Sequence, residues 1–269
     1  GKLTVQLLIK DLLTDLQYLY DTLQAKGNEF DHVIKMGRTH LQDAVPIRLG
    51  QEFRAFSQPV LRDIKRISAA VEELTYVNMG ATAVGTGINA DVEYVKNVVR
   101  ILSEVTGFEF KQSPDLVDGT RNLDSFVWLS SALKTCAVNL SKTANDIRLM
   151  ASGPKAGLAE ILLPQQQPGS SIMPGKVNPV IPEVLNQVCF QIFGNDITIT
   201  KAAEAGQLEL NVFEPVLFFN LFQSIEILKN GIITFIENCL KGITAQEENC
   251  KYWVDRSVGI ITALNPHIG

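Results

Sequence analysis

Apolar residues recur at intervals of three and four along most of the chain, the rhythm of helices with one buried face. Val5, Leu8, Leu12, Leu16, Leu19 and Leu23 form the first such stripe, and Gly27 is expected to end that helix. Phe53, Phe56, Val60, Ile64, Ile67, Val71 and Leu74 form the second, in which Pro59 lacks a backbone donor and is expected to kink or delay the helix. A third stripe runs Phe126, Leu129, Leu133, Ala137, Leu140, Ala144 and Ile147, with small alanines that let neighbouring helices approach closely. Further helical blocks cover roughly residues 182–205, 211–242 and 245–263. Strand signals are weak, and no internal repeat, low-complexity run or charged tail interrupts the pattern. The fold predicted is all-α, an up-and-down bundle of long helices whose stripes also suffice for contacts between subunits.

Composition narrows the class. With 46% of 269 residues hydrophobic and 20% charged, the chain can bury a sizeable core. A formal net charge of -5 argues against a nucleic-acid backbone or an anionic membrane as the main partner. The longest apolar stretches, such as residues 9–13 and 216–221, are short or interrupted by polar residues, so no membrane insertion is expected. Cys136, Cys189, Cys239 and Cys250 have neither CxxC spacing nor nearby His partners, which points to buried thiols of a cytoplasmic protein. No metal site and no cofactor are expected. The sequence opens at Gly1 within an amphipathic stretch and carries no signal-peptide pattern, so a piece of a longer intracellular protein is expected.

Gly, Ser and Pro concentrate in residues 36–50, 80–89 and 152–182, and loops mounted on rigid elements are where chemistry usually sits. The first holds Thr39 and His40 side by side, although a histidine there also serves as a plain hydrogen-bond partner or cap. The second contains Gly85-Thr-Gly87, but the full GxGxxG pattern and a surrounding βαβ unit are lacking, so tight turns explain it better than nucleotide binding. The third packs Ser170, Ser171, Lys176 and Asn178 into ten residues. Composition alone makes this a surface loop. Against that, Lys176 and Asn178 supply the charge and donor that clamp a carboxylate, and paired serines offer a base and an oxyanion donor. Serine acts as a base only when donors and positive charge hold it near the alkoxide in a water-excluded site, which a closing loop provides.

Residues 169–178, reading Gly-Ser-Ser-Ile-Met-Pro-Gly-Lys-Val-Asn, resemble the active-site loop of the aspartase/fumarase superfamily. Residues 37–44 and 85–89 add to the likeness, which extends over essentially the whole chain. The wording around residues 39–45, 78–82, 178–184 and 202–208 is closer to the aspartase branch than to fumarases. The resemblance implies reversible deamination of L-aspartate to fumarate and ammonia. It implies Ser170 as the base, Ser171 as a donor to the developing charge, and Thr39, Lys176 and Asn178 as the grip on the α-carboxylate. His40 is expected beside the departing amine, with Glu183 as its acidic partner.

It also implies a homotetramer with composite sites. Residues 1–258 are then the central helical domain and residues 259–269 the start of a C-terminal one, with the N-terminal domain absent. On that expectation the chain alone has little or no activity. A fumarase, or a non-catalytic oligomerisation module, are the alternative readings.

Overall fold

A computed structural model describes residues 1–169, 172–173 and 175–259. The chain is all-α with long helices, as the periodicity predicts. They are α1 (Lys2–Glu29), α2 (Leu49–Glu73), α3 (Val92–Thr106), α4 (Leu116–Arg121), α5 (Asp124–Met150), α6 (Val180–Glu204), α7 (Glu214–Asn238) and α8 (Glu247–Arg256). Short strands join them in pairs: β1 (Ile34–Thr39) with β2 (Gln42–Arg48), β3 (Tyr76–Val77) with β4 (Lys111–Gln112), and β5 (Ile161–Leu162) with β6 (Thr244–Ala245). Weak strand signals left these pairs unread in the sequence, most of all the hairpin β1–β2.

Two compact units make up the chain, each drawn from three separate stretches. The first holds residues 1–15, 62–138 and 188–230; the second holds 16–61, 139–187 and 231–269. In the first, Phe126 and Phe218 meet edge-on at 5.0 Å, and Asp196 accepts from Ser130 and pairs with Lys134 at 2.6 Å. A small cluster of Val77, Val99 and Phe110 packs there under α3. That helix lay outside the predicted blocks. Asp91 starts it by accepting from the amides of Glu93 and Tyr94, and Gly107 ends it in the left-handed region.

The buried stripe of α1 is Val5, Ile9, Leu12, Leu16, Leu19 and Leu23, so Ile9 replaces Leu8 and completes a 4-3-4-3-4 spacing. All seven predicted positions of α5 are buried. In α2 the buried line runs Phe53, Ser57, Val60, Asp63, Ile67, Ala70 and Leu74, one step off the predicted one at Phe56, Ile64 and Val71. Pattern reading passed over Ser57 and Asp63 because they are polar. Ser57 is satisfied by donating to the Arg54 carbonyl and accepting from Gln24. Pro59 sits inside α2 without ending it. The carbonyl left without a donor belongs to Ala55, an exposed residue that water can satisfy.

Gly27 does not end α1, which runs on to Glu29. It serves a close approach instead: a Cβ on Gly50 would stand 2.2 Å from the Gly27 carbonyl oxygen. Gly50→Ala should therefore cost about 1–3 kcal/mol of stability, read from chemical denaturation, because backbone rather than a pliant side chain must yield. A neutral result would mean that the two backbones part easily.

Residues 214–242 are, by length and composition, long and apolar enough to cross a membrane, which the shorter runs judged in the sequence did not suggest. Along α7, Leu217, Leu221, Ile225, Leu228 and Ile232 are all fully buried at helical spacing. One face of the helix is thus packed into the core. The four cysteines are buried thiols outside any disulfide, and burial pushes those of Cys239 and Cys250 up to about 12.

Candidate functional site

The chemistry-bearing residues that the structure describes lie in the second unit. Strands β1 and β2 form an antiparallel hairpin in which Thr39 pairs with Gln42, leaving His40 and Leu41 as its two-residue turn. Both have positive φ, 55° and 61°, the pattern of a type I′ turn, whose twist suits the flanking strands. Neither is glycine, so each carries a backbone cost that the strands must offset. Thr39 and His40 are exposed at this tip, the imidazole standing clear of the core.

Beneath the tip lies a buried charge network that sequence reasoning missed. Lys35 Nζ stands 2.7 Å from Glu160 Oε2 and 2.9 Å from Glu52, while Arg38 Nη1 donates to Glu160 Oε1 at 2.5 Å. Lys35 and Glu160 are almost wholly inaccessible. The network forms one side of a cavity of about 330 Å³, with Phe56, Leu149 and Met150 among its apolar walls. A signal for Glu160 existed: it is a lone acid inside the apolar run Leu158-Ala-Glu-Ile-Leu-Leu163, and an acid so placed needs a buried cation.

Burial raises the Glu52 carboxyl above its ordinary value of 4.5, with Lys35 pulling the other way. The fold thus favours the protonated form. That contribution is fully present below pH 4.5 and is lost as pH rises through the raised value. Glu52→Gln also removes a partner of Lys35 and has a cost of its own, but its Tm relative to the wild type should consequently be more favourable above neutrality than in acid. Thermal melts at the two extremes check it, and the opposite order would reverse the sign of the argument.

The third interruption is anchored at its stem. Ser152 donates to the Leu149 carbonyl and accepts from the Leu158 amide, turning the chain back on the end of α5. Asn249 and Trp253 of α8 donate to the Leu158 carbonyl, and Asn249 also to that of Ala159. Strand β5 then pairs with β6 and leads into the loop. A Cβ on Gly169 would stand 2.9 Å from the Lys176 carbonyl oxygen, so the two ends of the loop come together there. Ser170 and Ser171, the expected base and oxyanion donor, lie outside the described residues. Lys176 and Asn178 are exposed, and Asn178 lines a cavity of about 490 Å³ with Gln165, Gln246 and Asn249. Neither Thr39 nor His40 lines that cavity.

Glu183, in the first turn of α6, is half-buried and lies 3.3 Å from Arg148 of α5. Arg148 also donates to Asn186, which in turn donates to Ser141. Within one chain, then, the acid expected to partner His40 is paired with an arginine. Among the described residues no group of three or more His, Cys, Asp and Glu side chains is placed to hold a metal ion.

A family model described as Lyase matches residues 2–194. The chain is 60% identical over 262 residues to an aspartate ammonia-lyase of Bacillus sp, covering 97% of this chain and 56% of that protein. To the aspartate ammonia-lyase of Escherichia coli (strain K12) it is 52% identical over 258 residues, covering 96% and 54%. A crystal structure described as fumarate lyase:delta crystallin from Brucella melitensis, bound to cobalt, superposes with a TM-score of 0.97 at 47% identity, over all of this chain and 58% of that one. The class II fumarase of Schistosoma mansoni superposes with a TM-score of 0.91 at 36% identity, over 96% of this chain and 57% of that one. The chain thus spans little more than half the length of these relatives.

Proposed function

The chain belongs to the lyase family of the aspartase/fumarase superfamily, and on that premise we propose that it is the helical core of an enzyme that splits L-aspartate reversibly into fumarate and ammonia. The observation that carries the reading is the ten-residue loop at 169–178, complete in its serine pair, lysine and asparagine and drawn together at its neck. Ser170 takes a proton from the carbon beside the substrate's β-carboxylate, and the electron pair delocalises into that carboxylate as an enediolate-like dianion. Ser171 and loop N–H groups meet the charge as it builds, which is where binding lowers a barrier most. The pair then returns to form the double bond as the carbon–nitrogen bond breaks and ammonia leaves beside His40. Thr39, Lys176 and Asn178 hold the α-carboxylate throughout.

Among the described residues, Asn178 lines a cavity that neither Thr39 nor His40 lines, and a site completed between copies would bring them together. The relation expected between His40 and Glu183 fits the same scheme, with Glu183 coming from another subunit. Exposed Phe190 and Ile197 on α6 and Phe219 on α7 are large apolar groups of the kind that subunit contacts cover. A homotetramer in the cytoplasm, with each site assembled from more than one chain, is our reading. It follows that one isolated copy of this chain has little or no activity.

The test is fumarate appearance, by ultraviolet absorbance, when the whole protein carrying this sequence is offered L-aspartate or malate. Conversion of aspartate with malate ignored upholds the proposal. Preference for malate makes the enzyme a fumarase, the reading that the likeness to a solved fumarase favours. Turnover of neither leaves the bundle as an oligomerisation module.

A further inference from the structure

Glu160 is built to hold two things at once. Its main chain is fixed on both sides: its amide donates to the Met150 carbonyl at 2.9 Å, and its carbonyl accepts from the Gln246 amide at 2.9 Å. From that anchored point its fully buried side chain reaches β1, where Oε1 accepts from Arg38 and Oε2 faces Lys35. Residues three apart on a regular strand point to opposite faces. The pairing of β1 with β2 is irregular between Met36 and Arg38, and such a bulge sharpens the local twist, which is how both cations come to one carboxylate. Arg38 is further tied to the Met36 carbonyl at 3.2 Å. The residues that follow Arg38 are Thr39 and His40, which are exposed and take their position from what lies below them.

Stability does not account for this arrangement. Ion pairs withdrawn from water are often matched or bettered by apolar side chains of similar volume, and in some proteins they are kept because they fix geometry. We infer that Glu160 is a positioning residue for the reaction: by holding Lys35 and Arg38 it sets where Thr39 and His40 stand, and it ties that turn to the stem of the serine loop. The inference rests on the lyase reading of the Thr39–His40 turn.

The experiment compares Glu160→Gln, Glu160→Asp and the double variant Lys35→Met/Glu160→Gln in the whole enzyme, following Tm, kcat/KM and its pH profile. Glu160→Gln alone unbalances the buried charge and should melt early. The double variant removes charge from both partners and should recover most of the lost Tm. If Glu160 positions the turn, kcat/KM of the double variant stays at least about tenfold down, and its pH profile departs from that of the wild type. Recovery of activity together with Tm would overturn the inference and leave a merely structural role. Should the double variant not fold, Glu160→Asp decides: it keeps the charge but is too short to grip both cations, so unchanged kcat/KM and pH profile would overturn the inference, and a loss would uphold it. A wild-type enzyme inert to both aspartate and malate refutes the lyase reading and this inference with it, an outcome distinct from an active enzyme indifferent to Glu160.

Discussion

Ser170→Ala in the whole enzyme should lower kcat for L-aspartate by about 10²–10⁴-fold with little change in KM, the range expected when a general base is removed. The carbon-bound proton is weakly acidic, and in the proposed mechanism Ser171 is engaged as a donor to the β-carboxylate, which leaves Ser170 to accept it. The hydroxyl adds little to holding a dicarboxylate ground state whose α-carboxylate Thr39, Lys176 and Asn178 already grip. Loss of the base therefore falls on the chemical step rather than on binding. Steady-state kinetics separates the two. A drop of less than about tenfold, or a rise in KM with kcat preserved, would take the role of base away from Ser170 and leave it a binding group.

Lys35→Met should destabilise the fold by about 3–5 kcal/mol, the usual result of removing one partner from a buried ion pair. Lys35 separates Glu52 from Glu160, and without it the two carboxylates face each other with Arg38 as the remaining cation of the network. The loss should shrink in acid, where Glu52, already raised by burial, takes up a proton. Chemical denaturation at acid and neutral pH measures both statements. The exposed pairs on α3, Lys96 with Glu93 and Arg100 with Glu104, give the contrast, since removing either is worth about 0–1 kcal/mol. A Lys35 variant no less stable than variants of those pairs would show that water reaches the network freely.

How much of this was legible depended on range. The stripes of α1 and α5 could be read almost residue by residue, because helical period is local and these helices bury one face. In α2 the register slipped by one step where Ser57 and Asp63 occupy buried positions, since pattern reading admits only apolar residues there. The hairpin was missed because Gly37 and Pro46 break its alternation and His40-Leu41 is not a turn pair that announces itself. Helix α3 was passed over although Asp91 caps it, because Val92 and Val105 are largely exposed and blur its stripe. The serine loop was the most legible part of the proposed site, being a contiguous motif. The grip of Glu160 on Arg38 was the least, since 122 residues separate them.

That same separation runs through both compact units and bears on how the protein is made. Residues 1–15 share a unit with residues 188–230, and residues 16–61 share one with residues beyond 231. During synthesis the apolar stripes of α1 and α2 emerge long before α7, whose Leu217, Leu221 and Ile232 help to fill those cores. Neither unit closes until nearly all of this chain has left the ribosome. The nascent protein must wait with its hydrophobic faces uncovered, and non-local contacts of this kind fold slowly and invite aggregation. Its yield in the cell will accordingly be set by what shields the early helices as much as by the stability of the finished bundle.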